Sequence, residues 1–112
     1  YHIPSETLYL VRSPTGARPL FWVRDHHRIA FCSEIPPLIE LPFVSRDIAM
    51  ENLAEYLSFR YIHAPRTLLK SVFAVEPGHL LRIQNNEVHR EEWYRPRWRH
   101  VQDPKLPDSE LL

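Results

Sequence analysis

Eleven prolines against two glycines constrain this chain more than any other feature of its sequence. Proline fixes φ and removes a backbone donor, so neither a long helix nor a central strand can run through one. The chain is therefore cut into short elements. Those elements still have enough apolar material to pack: 112 residues at 44% hydrophobic and 12% aromatic suit one small domain with a real core. Two full domains do not fit, so a two-step enzyme is excluded at this length. Fourteen basic and 14 acidic residues give zero formal charge, and no net field favours nucleic acid or an acidic membrane. The basic residues are 12 Arg and 2 Lys, a bias that suits paired or packed guanidiniums. Cys32 is alone, so no internal disulfide forms, and a reducing, cytoplasmic location is expected. No apolar stretch approaches the roughly 18 residues a membrane span needs. Tyr1-His2-Ile3-Pro4 lacks the charged region and apolar run of a signal peptide. No internal repeat is present.

Along the chain, the β-rich run Thr7 to Arg12 predicts a strand closed by a turn at Pro14 and Gly16. Leu20 to Arg24 predicts a second strand, Asp25-His26-His27-Arg28 a tight loop, and Arg28 to Cys32 a third strand. Together these imply an antiparallel meander. Ile35 to Leu41 holds Pro36 and Pro37 and allows one short helix. Asp47 is placed to cap the next element. Met50, Leu53, Ala54, Leu57 and Tyr61 follow at i, i+3, i+4, i+7 and i+11, one apolar stripe expected to be buried on a helix from Ile48 to Arg60. Glu51, Asn52, Glu55 and Ser58 would take the other side. The helix should end before Ala64-Pro65, because a residue preceding proline avoids the α region. Leu68 to Val75 is ambiguous, with one helical turn and then a strand. Leu80 to Gln84, Asn85-Asn86 and Glu87 to Glu91 read as a hairpin. The polar stretch Gln102 to Ser109, with its prolines, reads as a linker or surface strap.

The chemical candidates are few. Seven histidines and one cysteine raise the question of a metal, but the sole close pair, His26-His27, would diverge in a turn, and zinc wants four convergent ligands. No metal site is expected. Cys32 lies in an apolar run, where a free cysteine packs as a small hydrophobe more often than it acts as a nucleophile. Trp93, Tyr94 and Trp98 alternate with Arg95, Arg97 and Arg99, a pattern able to stack on single-stranded nucleic acid. Packing against a neighbouring domain, with arginine stems over the tryptophans, is the competing account. Glu91-Glu92, Glu34 and Glu40 show no acid–base spacing and read as solvated or capping groups. Two glycines cannot build a phosphate cradle. Residue by residue, the chain is an α/β segment with unfilled interfaces.

The order of several short strings adds to this. Val11-Arg12, Gly16 and Pro19-Leu20-Phe21, then Arg28-Ile29-Ala30-Phe31-Cys32-Ser33-Glu34-Ile35, resemble strings near the end of the glutaminase domain in asparagine synthetases. Leu53-Ala54-Glu55-Tyr56-Leu57, Tyr61-Ile62-His63-Ala64-Pro65-Arg66-Thr67-Leu68 and Glu76-Pro77-Gly78-His79 continue in that family's order and near its spacing. The match covers about residues 7 to 99. Ser13, Cys32 and Pro36-Pro37 depart from the pattern, which leaves the acceptor of the parent enzyme open.

The resemblance implies an internal segment of a class II, N-terminal-nucleophile glutamine amidotransferase. Its parent would be an ATP- and Mg-dependent ligase with glutamine and a carboxylate acceptor as substrates, forming an acyl-adenylate and passing ammonia between domains through a tunnel. The implied fold is α+β: the C-terminal part of an αββα glutaminase sandwich, then a crossing helix and hairpin leading to an ATP-pyrophosphatase-like synthetase domain. Residues 1–44 would be the last glutaminase strands, 45–94 the crossing helix and interdomain hairpin, and 95–112 a linker. The family's nucleophilic N-terminal cysteine and Ser-Gly-Gly loop have no counterpart here, so no catalytic or cofactor-binding residue carries over, and the chain alone is expected to be inactive. Its partners would be the rest of the parent, with no nucleic acid and no membrane. Ser33 and Glu34 are candidates for the interdomain seam, against the plainer role of Glu34 as a cap on the helix near Ile35. A noncatalytic interaction module retaining the scaffold is the alternative.

Overall fold

A computed structural model describes residues 1–97. β-Branched and aromatic residues form short strands wherever proline permits: β1 (Leu8–Val11), β2 (Phe21–Arg24) and β3 (Ile29–Cys32). Helix α1 (Pro36–Ile39) begins at two prolines, which a first turn tolerates. Then follow α2 (Met50–Phe59), β4 (Phe73–Ala74), β5 (His79–Gln84) and β6 (Glu87–Glu92). The β5–β6 hairpin forms as the sequence predicts, with Asn85 and Asn86 at φ 50° and 62°, the left-handed pair of a two-residue turn.

The expected meander does not form. β1 pairs with β5 rather than β2, and the strands divide into two antiparallel sheets ordered β1-β5-β6 and β3-β2-β4. The connection from Arg12 to Leu20 crosses from one sheet to the other instead of closing a hairpin. β1, before residue 44, thus shares a sheet with β5, after it.

Strand alternation sorts the side chains into layers. Leu10, Leu81, Ile83 and Val75 form one core, with Trp22 and Ile29 of the other sheet packed against it, so the two sheets meet face to face. Val23, on the opposite face of β2 from Trp22, forms a second core with Leu38 of α1, Val44 and Val72. Cys32 packs half-buried beside it, in the hydrophobic role expected. The order through the molecule is sheet, sheet, α1.

Helix α2 departs from the expected pattern in its N-cap and in the face it buries. Its N-cap is Ala49, without a side-chain bond, because Asp47 lies upstream, where its carbonyl accepts from Lys70 N–H at 2.9 Å. It ends before Ala64-Pro65 as expected, with the stop made by Arg60, which turns left-handed (φ 53°) just after Phe59 and donates its N–H to Tyr56 O. The apolar stripe is outside: Met50 is 64% exposed and Leu57 71%, whereas Asn52 is 6% exposed. Hydrogen bonds from Asn52 and Glu55 to the following loop outweigh the pull of the stripe, because this segment has no apolar surface over α2 to receive it. Among the described residues, no helix is long and apolar enough to cross a membrane.

Candidate functional site

The polar face of α2 meets the loop from Tyr61 to Leu69, and this junction is the most organised polar cluster of the chain. Asn52 Nδ2 donates to Thr67 O at 2.8 Å, and Ala49 N–H donates to Leu68 O at 2.8 Å. Thr67 Oγ1 donates in turn to Val72 O at 2.7 Å. Glu55 lies one turn along the helix from Asn52, its side chain 14% exposed. It accepts the His63 backbone N–H at 2.9 Å and contacts His63 Nδ1, and its other oxygen meets Arg66 at 2.7 Å. The His63 backbone bond first, then the His63 ring and the Arg66 charge, hold the Glu55 carboxyl below its ordinary range. Beside this cluster, Tyr56, Tyr61, Ile62 and Arg66 face Phe21 and Ile35 across a largely apolar groove of about 260 Å³.

Two other motif residues grip backbone in the same way. Arg12 donates to Val75 O at 2.7 Å, Gly16 O at 3.0 Å and Arg18 O at 3.2 Å, pinning the crossover between the sheets. Gly78 sits at φ +69°, where an added Cβ would lie 2.4 Å from Tyr94 O. Its carbonyl accepts the N–H groups of Trp93 and Tyr94, so the glycine lets the end of β6 fold back over the turn. His79 Nδ1 lies 2.9 Å from Pro77 O, an atom that only accepts, so the proton is on Nδ1 and Nε2 receives Arg90 Nη2 at 3.2 Å. Arg90 grips Glu76 with two bonds, at 2.6 and 2.9 Å.

The sequence candidates are scattered by comparison. Ser33 and Glu34 are exposed where β3 ends, Ser33 on a groove shared with Val11, Arg18 and Leu20. The capping role weighed for Glu34 is not seen, since Ile35 is the N-cap of α1 and no side chain bonds there. The rings of His26 and His27 are 6.5 Å apart in a loop whose Asp25 binds Arg28, and no cluster able to hold a metal occurs among the described residues. Arg28 holds the Asp25 carboxyl down to about 2. Glu91 pairs with Arg82, Glu92 with Arg95 and Glu40 with Arg46. Trp93 and Tyr94 are exposed with ring centroids 5.9 Å apart. Trp98 and Arg99 lie outside the described residues.

Sequence reasoning did not single out Arg12, Asn52, Glu55 or Arg66 as a group. The available signal was an asparagine and a glutamate at i and i+3 facing a loop rich in hydrogen-bonding residues.

A family model for the glutamine amidotransferase domain matches residues 1–94, which includes every one of these motif residues. The chain belongs to the glutamine amidotransferase family. The asparagine synthetase [glutamine-hydrolyzing] 1 of Bacillus subtilis (strain 168) is 30% identical over 98 residues, covering 85% of this chain and 15% of the relative. This glutamine amidotransferase segment is therefore asparagine-synthetase-like, and it spans 15% of the length of the curated relative it matches. The antiparallel sheets and short helices of its α+β fold are compatible with that family.

Proposed function

We propose that this segment is a structural part of an ATP-dependent, glutamine-hydrolysing ligase of the asparagine synthetase type. In that reading the parent releases ammonia from glutamine and uses it to amidate a carboxylate activated as an acyl-adenylate. The observation that carries the structural role is the use made of the motif residues. Arg12, Asn52, Glu55, Arg66 and Gly78 all hold backbone or one another.

The order sheet, sheet, α1 supports an αββα sandwich of the N-terminal-nucleophile type with one outer layer still to be supplied. The strand edges support the same reading. β1 and β3 are outermost in their sheets and carry no charge, whereas the edge strand β6 carries Glu87, Arg90, Glu91 and Glu92. Uncharged edges invite further strands and charged ones repel them. In this reading the earlier glutaminase strands add beside β1 and β3, residues 1–44 are the last strands of the glutaminase domain, 45–94 the crossing helix and interdomain hairpin, and 95–112 the linker toward the synthetase domain.

ATP and Mg belong to the parent and do not fit this chain's own residues. Gly16 and Gly78 are both packed into left-handed turns, against Pro77 and the Tyr94 carbonyl, and cannot open as a phosphate cradle. In this reading Ser33 and Glu34 belong to the interdomain seam, for which their exposure at the end of β3 is the support. A cytoplasmic setting agrees with the lone thiol of Cys32.

The test is a pair of measurements, glutamate release from glutamine and pyrophosphate release from ATP. The full-length protein is expected to do both, and the 112-residue chain neither. Turnover by the short chain that disappears in Cys32→Ser would make Cys32 a nucleophile and end the structural reading. A full-length protein without either activity would favour the noncatalytic interaction module, for which the outward stripe of α2 is the supporting observation. For the seam, Glu34→Gln should leave glutamate release intact while less amide forms per glutamate, and an unchanged ratio removes Glu34 from it.

A further inference from the structure

Strand alternation turns His79, Leu81 and Ile83 of β5, and Val88, Arg90 and Glu92 of β6, toward the second sheet. Near the hairpin turn this face is apolar, as the space between two sheets requires. Toward the chain exit it becomes ionisable. Arg90 and His79 stand with Glu76 around a cavity of about 220 Å³ between the sheets, lined also by Trp22, Phe73, Leu81 and Val88. Their arrangement depends on one proton. His79 Nδ1–H donates to Pro77 O at 2.9 Å, so Nε2 is bare and takes Arg90 Nη2 at 3.2 Å. Arg90 is fixed from its other side by Glu76, at 2.6 and 2.9 Å. Glu92 stands directly opposite His79 in the hairpin and is held by Arg95, at 2.7 and 2.9 Å. That bond first, then the charges of Arg95, His79 and Arg90, hold the Glu92 carboxyl below its ordinary range. From β1, Arg12 reaches His79 through its backbone N–H, while its guanidinium is occupied by three carbonyls. The charged groups facing the ring are thus Glu76, Arg90 and Glu92, with Arg95 behind Glu92.

We propose that His79 is a proton-operated latch on the segment that leaves β6. With a neutral ring the latch is closed. Nε2 accepts from Arg90, Arg90 keeps Glu76, and Glu92 is left to Arg95, which ties the exit back to its strand. Proton uptake at Nε2 removes the acceptor that Arg90 finds on the ring, and sets two N–H donors and two positive charges face to face. Among the described residues, the carboxylate facing His79 that Arg90 does not hold is Glu92. Directly opposed residues of a hairpin have Cβ atoms about 4.5–5.5 Å apart, within reach of an imidazolium–carboxylate bond. The charged ring takes Glu92, and Arg95 loses its partner. What then holds the exit is Gly78 O, which accepts from the N–H groups of Trp93 and Tyr94. Histidine changes charge between about pH 5 and 8, so the latch closes toward the upper end of that range and opens toward the lower. The inference rests on the hairpin and its turn, and it stands whether or not the parent is a ligase.

Fluorine NMR of the full-length protein carrying fluorotryptophan tests this, with Trp93 and Trp22 assigned through Trp93→Phe and Trp22→Phe. The Trp93 resonance is expected to move through a one-proton transition between about pH 8 and pH 5, and to narrow as the exit loosens. His79→Gln, whose amide oxygen can still accept from Arg90 but does not titrate, should hold Trp93 at its high-pH position throughout. His79→Asn keeps a donor toward Pro77 O and lacks the second nitrogen, so it should abolish the transition as well. It serves alone if the glutamine variant displaces the Trp22 resonance. Glu92→Gln removes the partner of Arg95 without any proton, so Trp93 should sit at its low-pH position at every pH. Three results overturn the proposal: no transition in the wild type, a transition that survives the His79 variants, or a Glu92→Gln protein that follows the wild-type curve. The last would mean that the proton reaches Trp93 through charge alone and releases nothing.

Discussion

At Glu55, one carboxylate oxygen takes the His63 N–H and the other meets Arg66, so a single side chain ties α2 to the loop that forms one wall of the apolar groove. The folded-state pKa is depressed below the ordinary 4.5, chiefly by the His63 backbone bond. A depressed carboxylate stabilises the fold fully above its unfolded pKa and loses that contribution as pH falls through the folded value. The His63 amide resonance should therefore carry an acid transition that lies below the ordinary carboxylate range. Glu55→Gln, which keeps the shape but loses the charge, should abolish this acid transition, as NMR titration of the His63 amide would show. Asp25, held down to about 2 by Arg28, should keep its loop bonds until the pH falls near that value. Gly78 is constrained sterically instead. Gly78→Ala would set a methyl against Tyr94 O in a left-handed turn, and should cost at least about 1–2 kcal/mol by chemical denaturation. An unchanged denaturation midpoint would show that Trp93 and Tyr94 move aside freely.

Among the elements, α2 shows best how tertiary contacts can overrule a sequence pattern. The i, i+3, i+4, i+7 spacing of Met50, Leu53, Ala54 and Leu57 correctly announces a helix, and says nothing about which neighbour meets which face. Asn52 is buried because its amide supplies the donor that Thr67 O takes, while no residue of either core packs against Leu57 on the opposite face. Asn52→Ala should accordingly destabilise the full-length protein by about 1–3 kcal/mol. Glu51→Ala, fully outside and unpaired among the described residues, should change stability by no more than about 0.5 kcal/mol. Denaturant midpoints of the two variants decide the matter, and equal costs would mean that the polar face does not anchor the helix. The β5–β6 hairpin went the other way, with sequence and structure agreeing. Asn85-Asn86 is a local signal that needs no distant partner, although Asn86 also donates to His26 O at 2.6 Å and so joins the tips of the two hairpins.

Across the whole molecule, one core serves both sheets. Leu10 and Leu81 come from the sheet of β1 and β5, and Trp22 and Ile29 from the sheet of β2 and β3. Removing Leu81 therefore loosens the contact between layers rather than one strand. Leu81→Ala should cost about 2–5 kcal/mol, and Trp22 fluorescence should report the same transition as far-ultraviolet circular dichroism. Two separated transitions would show that the sheets unfold independently.

The sequence by itself determined the local elements and the family. Proline positions set their lengths, alternation and helical spacing set their types, and the ordered strings from Val11 to His79 carried the relationship that the glutamine amidotransferase match confirms. Only the tertiary structure decided the pairing of β1 with β5, because strand pairing depends on which apolar faces find each other across about 70 residues, and alternation is blind to partner. It alone showed the roles of Arg12 and Glu55, whose hydrogen-bonding partners are distant or non-periodic in sequence. It also decided the orientation of α2, since periodicity fixes that a helix has two faces, while hydrogen bonds to the Tyr61–Leu69 loop fix which of them is turned inward.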